Sequence, residues 1–240
     1  MQLSRKWEEW AVKQNKSLST LLPLLSLLLG SYCLRMRRIL YAKAVDETGL
    51  LVSGTALEWK IYLMSILALV LFAAASRRQE GKILTGSVTA LGQLVGAAGI
   101  GWTVLTFPGE MPGLLGNLWK ILGIFSALSL IWSALCAFRG ETPPFLVLLT
   151  PCLFWLTHMV DNYRGWSGAP QLQSYLFALL GTMTMALFSY YTAADAIGLG
   201  KPRRLKFAAL AAGYLCAAAA MPGKNQILYL LSALWALFSL

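Results

Sequence analysis

Three arginines fall within four positions at the end of the first apolar run of the chain. Arg35, Arg37 and Arg38 stand in the stretch SYCLRMRRILYAK. Guanidinium groups are rigid forks of N–H donors that match the oxygens of carboxylates and phosphates. The spacing therefore predicts an anion-binding site here, for a lipid headgroup or a small anionic molecule.

A second group of polar side chains follows a later apolar run. His158, Asp161 and Arg164 recur every three residues, so a continuing helix would place them within about 120° of one another. We expect them to lie at the same end of the molecule as the three arginines and to form one ligand-binding cluster with them. Three carboxylates close to the arginines could supply counter-charges: Asp46, Glu47 and Glu58.

The predicted cluster has three interpretations. In the first, the arginines reach lipid phosphates, Asp161 pairs with Arg164, and His158 is a satisfied interface residue. In the second, the cluster binds an anion in a vestibule. In the third, His158 and Asp161 form the acid/base pair of a membrane-embedded enzyme, with Ser167 or water as nucleophile. Because the hydrolase patterns Gly-x-Ser-x-Gly and His-Glu-x-x-His do not occur, no residue is assigned a catalytic role.

The composition sets the kind of protein that must position these residues. Of 240 residues, 58% are hydrophobic and only 12% are charged, and the mean hydropathy is +0.63, which excludes an ordinary soluble domain. The apolar residues form eight runs, several long enough for the roughly 20 residues that a helix needs to cross a bilayer. The runs cover 18–34, 59–75, 83–107, 118–138, 145–160, 174–194, 207–221 and 227–240.

The sequence therefore predicts an all-α integral membrane bundle of about eight transmembrane helices. Backbone groups facing lipid must be hydrogen-bonded within their own segment, and the runs lack the alternation of a β-barrel. Residues 1–17 are predicted to be an amphipathic segment on the membrane surface, because their apolar side chains share one helical face. Residues 18–138 and 139–240 would then each contain four helices.

Several features recur in the two predicted halves. Asp46 and Asp161 follow the first and fifth runs, and Pro108 and Pro222 follow the third and seventh at nearly the same distance. The third and seventh runs are rich in glycine and alanine, which lets helices approach closely, so we expect both helices to be central. These features predict two parallel four-helix repeats, related by an axis along the membrane normal.

Lysine and arginine are more numerous in the loops that lie inside when the N-terminus is cytoplasmic, which predicts this orientation in a cell membrane. The net charge of +10 does not indicate nucleic-acid binding, because the basic residues stand at the ends of apolar runs, where they contact lipid headgroups. The four cysteines have no paired spacing, and we expect neither a metal nor a cofactor. Predicted partners are membrane lipids, an anionic small molecule, and further copies of this chain or other chains.

Two other polar positions are predicted to be structural. Gln93 would form an interhelical hydrogen bond near the membrane centre, beside the small-residue pair Gly92 and Gly96. Asp195, near a helix C-terminus, should have a cationic partner, with Arg203 and Arg204 as the candidates.

The function that this pattern favours is that of a small transporter-like or anion- or lipid-binding membrane component with a polar site at its outer face. A membrane-embedded enzyme and an accessory or sensory subunit of a membrane complex are the alternatives. An accessory subunit would act through partner helices and would not need the polar cluster.

Overall fold

A computed structural model describes residues 2–44, 54–77, 86–107, 114–166 and 175–240, with side-chain surroundings from residue 21 onward except at 114–115 and 165–166. These residues form helices and no strand, which confirms the all-helical class. The eight helices in the described part of the chain are α1 Gln2–Lys43, α2 Ala56–Ser76, α3 Ser87–Thr106, α4 Leu114–Arg139, α5 Phe145–Trp166, α6 Leu176–Ala196, α7 Pro202–Ala219 and α8 Gln226–Phe238.

Five of these helices are long and apolar enough to cross a membrane. They are Ala56–Ser76, Ser87–Thr106, Gly116–Arg139, Phe145–Arg164 and Leu176–Ala196. Helix α7 carries three basic residues near its beginning, and α8 has 13 residues and is apolar but short. By length and composition the chain is therefore a membrane protein built from helices.

Helix α1 is continuous from Gln2 to Lys43, so the structure has no helix boundary at residue 17. Its first half contains lysine, glutamate, glutamine and leucine, which favour a helix, and nothing there ends it. The side chains of residues 2–20 lie outside the part described, and the surface location of 1–17 stays a prediction.

Six helices form a closed ring in which each packs on the next. The order is α3, α4, α5, α6, α7 and α8, and α8 returns to α3. Helices α1 and α2 lie outside this ring and pack against α7. Ser26 of α1 donates to Leu210 O, and Gly30 faces Tyr214, so α1 and α7 run in the same direction.

Helix α7 is the central helix, as its composition predicts. It contacts α1, α2, α6 and α8, and every residue from Ala208 to Ala219 is buried. The same expectation is wrong for helix α3, which packs mainly on two neighbours, α4 and α8. A Cβ at Gly96 would lie 2.7 Å from the Trp235 ring, so the small-residue pair of α3 allows the close contact with α8.

The two predicted halves have different helix neighbours. In the first half α1–α2 and α3–α4 are separate pairs, whereas α5, α6, α7 and α8 pack consecutively. Contacts of α1 with α7 and of α3 with α8 join the halves. The packing therefore does not display a repeat, which stays a prediction; Asp46 and Pro108, two of its landmarks, lie outside the described residues.

Candidate functional site

Arg37 is the one arginine of the first group that enters the bundle. Its side chain is only 5% exposed, and Nη1 donates a 2.6 Å hydrogen bond to Ala218 O. Ala218 lies in the last turn of α7, where carbonyl groups lack an intrahelical N–H partner. The guanidinium carbon also lies 4.6 Å from the centre of the Phe177 ring. Arg37 thus stabilises the negative end of α7 and contacts the beginning of α6.

Arg37 lines a narrow pocket at the end of the bundle where α1 ends and α2 and α6 begin. We call it the Arg37 pocket. Its walls are Arg37, Leu40 and Tyr41 from α1, Glu58, Ile61 and Tyr62 from α2, and Phe177 from α6. The pocket thus combines one cation, one carboxylate, two phenols and apolar side chains.

Local sequence fixes Glu58 in this pocket. Thr55 and Glu58 form the Thr-x-x-Glu pattern of a helix start, and the Thr55 hydroxyl accepts a 3.3 Å hydrogen bond from Glu58 N. The carboxylate accepts a 2.8 Å bond from Gly54 N and a 2.9 Å bond from the Tyr62 hydroxyl. The carboxylate is therefore positioned by two contacts from its own helix and turn.

Arg35 and Arg38 do not line the Arg37 pocket. Both are exposed, and they continue the exposed side of α1 that carries leucines such as Leu21, Leu24 and Leu28. Successive residues of a helix are rotated by about 100° about its axis. Arg35, two residues before Arg37, and Arg38, one residue after it, can therefore both face outward while Arg37 faces inward. The predicted cluster of three arginines is therefore divided between the pocket and the outer face of α1.

His158 lies in a separate buried network. The Trp119 indole N–H donates a 3.1 Å hydrogen bond to His158 Nδ1, and the Asn162 amide lies 2.8 Å from Nε2. The Asn225 amide lies 3.2 Å from that of Asn162. These side chains connect α4, α5 and the beginning of α8. We call them the His158 network.

The hydrogen bond donated by Trp119 determines which nitrogen of the His158 imidazole carries the proton. Tryptophan can only donate, so Nδ1 of His158 carries no proton and a neutral ring carries its proton on Nε2. Nε2–H then donates to the amide oxygen of Asn162, because the oxygen and nitrogen of an amide exchange places on a 180° rotation. Before this rotation Asn225 Nδ2–H donates to Asn162 Oδ1 across 3.2 Å, and the same rotation of the Asn225 amide keeps the two amides hydrogen-bonded. Both ring nitrogens are engaged, so neither is placed to act as a general base.

Aromatic rings enclose the imidazole on several sides. Phe154 stacks on it with centroids 5.6 Å apart and planes 13° apart, and Trp155 and Tyr229 contact it at steeper angles. The ring is 1% exposed. This is the environment of a histidine that holds helices together.

The second predicted cluster is also divided. Asp161 is 1% exposed and lies inside with His158, whereas Arg164 is exposed. His158, Asp161 and Arg164 span about 120° around the axis of α5. This angle is wide enough for His158 and Asp161 to face into the bundle while Arg164 faces outward.

The Arg37 pocket and the His158 network lie at the same end of the bundle, as predicted. Arg37 is bonded to Ala218 at the end of α7, and Asn162 contacts Asn225 at the beginning of α8, so both adjoin the α7–α8 turn. They are distinct groups of side chains, and no described hydrogen bond joins His158 to Arg37 directly. Asp46, Glu47 and Ser167 lie outside the described residues.

The two structural predictions have different outcomes. Gln93 is buried, but its carbonyl oxygen has no hydrogen-bond partner among the described residues, so the expected interhelical bond does not form through this atom. Asp195 is half-buried at the end of α6, and Arg203 and Arg204 are exposed at the start of α7. Their pairing stays a prediction. The described residues contain no group of histidine, cysteine and carboxylate side chains that could hold a metal ion.

Sequence reasoning missed some of the residues that complete these sites. Tyr62 stands four residues after Glu58, a spacing at which helical side chains meet, and could have been found. Trp119 and Asn225 contact α5 across 39 and 63 positions of the chain, and no local pattern marks such contacts.

Comparisons with protein families, curated proteins and solved structures found no match for this chain. Its function is therefore argued from its own residues.

Proposed function

We propose that this protein is an eight-span cell-membrane protein that binds a small anionic group, a carboxylate or a phosphate, in the Arg37 pocket. The observation that carries the proposal is a buried guanidinium that lines a pocket between α1, α2 and α6. A buried cation in a membrane protein is costly and is commonly part of a ligand site. Its planar donors suit either anion.

The eight-span arrangement adds α1, α7 and α8 to the five long apolar helices. Parallel packing of α1 and α7 supports it, because odd-numbered spans run in one direction. With the N-terminus cytoplasmic, the pocket faces outward. Single cysteines replacing the exposed Lys43 and Glu141, in a chain without its native cysteines, test this. An impermeant maleimide added to intact cells should label position 43 and not position 141.

Anion binding is favoured over the enzyme alternative by the state of His158. An acid/base catalyst needs a ring nitrogen within reach of a substrate, whereas both nitrogens of His158 are hydrogen-bonded and its ring is enclosed. Arg37, in contrast, borders the narrow Arg37 pocket. A lipid phosphate and a soluble anion share the required chemistry, and a carrier would in addition move the soluble anion across the membrane.

The binding experiment measures thermal stability of the detergent-purified protein with added acetate, inorganic phosphate or short-chain phosphatidic acid, at constant ionic strength. A ligand at about 100 times its Kd stabilises the folded state by about 2.7 kcal/mol. Stabilisation by acetate or phosphate only would indicate a soluble ligand. Stabilisation by phosphatidic acid only would indicate a lipid headgroup. Uptake of the effective soluble anion into proteoliposomes tests transport.

Variants of the two neighbouring arginines provide the matched control. Arg37→Lys keeps the charge but loses the planar donor pair, so the stabilising anion should bind about tenfold more weakly, the effect of about 1.4 kcal/mol. Arg38→Gln changes an exposed residue and should leave anion binding as it is. The proposal is refuted if no anion stabilises the protein, or if Arg38→Gln removes the effect and Arg37→Lys does not.

A further inference from the structure

We infer that a groove between α1 and α2 binds one phospholipid of net negative charge, with its phosphate beside Lys60 and an acyl chain along the leucines that follow. The groove has a volume of about 460 Å³. Leu29 contributes from α1, and the remaining walls belong to α2: Lys60, Leu63, Met64, Leu67, Ala68 and Leu71. None of these residues lines the Arg37 pocket, so the inference does not depend on the proposed function. We call this site the Lys60 groove.

The α2 walls of the groove lie on one side of the helix, because their positions recur every three or four residues. Ser65, on another side of α2, contacts α7 through its hydrogen bond to the Tyr214 hydroxyl. Gly30 of α1 packs on the same tyrosine, so its neighbour Leu29 lies level with the middle of the α2 walls. The groove therefore runs along α2, and α1 borders it halfway.

The length of the Lys60 groove matches one leaflet of a bilayer. From Lys60 to Leu71 a helix rises about 16 Å, and half of a hydrocarbon core of about 30 Å is about 15 Å. Lys60 lies in the second turn of α2, and the exposed Trp59 beside it is typical of the headgroup level. Counted from there, the groove ends close to the bilayer centre. An acyl chain from the leaflet on that side fits its full length.

Lys60 gives one end of the groove a positive charge. Its side chain is exposed, and none of the described residues forms an ion pair or hydrogen bond with its ammonium group. The aliphatic part of a lysine side chain packs along apolar surface while its ammonium group reaches the headgroups. An apolar groove with one cation at its headgroup end complements a molecule that has a hydrocarbon chain and an anionic end.

A phospholipid fits the groove better than a helix of a second copy or of another protein. Helices in a membrane associate through small residues, whereas three leucines and a methionine line this part of α2. A partner helix would also enclose the ammonium group of Lys60 in apolar surroundings, which is costly. Helix α2 leaves room for lipid: 28% of its most apolar stretch is buried, against 44–56% in the other four long apolar helices.

The test is native mass spectrometry of the detergent-purified full-length protein with equal amounts of phosphatidylglycerol and phosphatidylcholine that carry the same acyl chains. We expect saturation at one phosphatidylglycerol per chain, preferred about fivefold, the effect of about 1 kcal/mol for one lysine near an anionic headgroup. Lys60→Gln should remove this preference. Lys120→Gln is the matched control, because Lys120 is also exposed and follows a tryptophan near a helix start but does not line the groove.

A second pair of variants tests the groove without changing charge. Leu67 is 60% exposed and lines the groove, so the larger side chain of Leu67→Trp should fill it and lower the retention of both lipids severalfold. Ile66→Trp is its control, because Ile66 is 59% exposed on the same helix but does not line the groove. Retention should stay unchanged in Ile66→Trp. Both positions are exposed, so the fold should be kept.

Four results would overturn the inference. The first is lipid binding that does not saturate at one per chain, which indicates a general lipid coat. The second is an equal effect of Lys60→Gln and Lys120→Gln. The third is a change of oligomeric state in Leu67→Trp with lipid retention unchanged, which indicates a helix interface. The fourth is loss of phosphatidylglycerol in Arg37→Lys but not in Lys60→Gln.

The fourth result would assign the lipid to the Arg37 pocket, so the inference would fail while the proposed function stands. The opposite combination is one phosphatidylglycerol bound through Lys60 in a protein that no anion stabilises through Arg37. It would support the inference and refute the proposed function.

Discussion

The contact between α1 and α7 at Gly30 allows a quantitative test of the packing that positions Arg37. A Cβ added at Gly30 would lie 2.7 Å from Tyr214 O and 2.7 Å from Ala217 Cβ, whereas ordinary contacts are 3.4–4 Å. Tyr214 O is a backbone atom and cannot rotate away. Gly30→Ala must therefore separate the two helices by about 1 Å or strain one of them.

The expected cost follows from this separation. Overpacking of a well-packed contact typically costs about 1–3 kcal/mol, and the better helix propensity of alanine returns up to about 1 kcal/mol. Because the clash involves a backbone atom, the upper cost of about 3 kcal/mol applies, and we expect Gly30→Ala to lower the free energy of unfolding by about 2 kcal/mol, the difference between this cost and the gain of about 1 kcal/mol. The same movement would stretch the 2.6 Å bond from Arg37 to Ala218 O beyond about 3.2 Å, the usual limit. Ligand binding in the Arg37 pocket should weaken as well.

The assay is equilibrium unfolding in mixed detergent micelles, followed by circular dichroism. Gly101→Ala is the matched control, because a Cβ there would meet only Ala127 Cβ at an ordinary 3.8 Å. Gly101→Ala should leave the free energy of unfolding unchanged or raise it slightly. Equal stabilities for Gly30→Ala and the natural protein, or a loss in Gly101→Ala as large as that in Gly30→Ala, would refute the close α1–α7 contact.

Three further substitution or labelling experiments test other parts of the structure. His158→Phe keeps a ring of similar shape but leaves the buried indole N–H and amide of its network unpaired, so stability should fall by about 2–4 kcal/mol, measured by the same unfolding assay. Arg37→Met removes a charged hydrogen bond at the end of α7 and should cost about 2–3 kcal/mol, whereas Arg38→Met should be neutral; equal losses would contradict their different burial. Cys136, half-buried, should react with a maleimide in detergent while buried Cys216 stays unmodified until the protein unfolds, as mass spectrometry of the labelled peptides would detect.

The sequence predicts the elements of this fold better than their arrangement. Long apolar runs mark helices because the membrane excludes other backbone structures, and the alanine-rich composition of α7 predicts a central helix. Which helices become neighbours depends on long-range complementarity, such as Gly96 against Trp235, that no period in the sequence encodes.

The sequence likewise predicts the residues of the candidate site better than their arrangement. The arginine group and the carboxylate at position 58 stand out in an apolar chain. Arg37 faces inward, whereas Arg35 and Arg38 face outward. This difference depends on the rotation of α1 about its own axis, which contacts with α7 fix. The same holds for α5, where Asp161 is inside and Arg164 outside.

The burial of α7 on all sides has a consequence for biogenesis. Alanine contributes little to membrane partitioning, and Arg203, Arg204 and Lys206 near its start oppose it, so α7 gains little from lipid alone. In the proposed eight-span arrangement, its stability in the bilayer must come from neighbours that are already inserted, chiefly α1 and α6, which precede it in synthesis. Insertion of α7 should then be a late step that waits for the earlier helices, and chains lacking α1 should expose this segment to quality-control proteases.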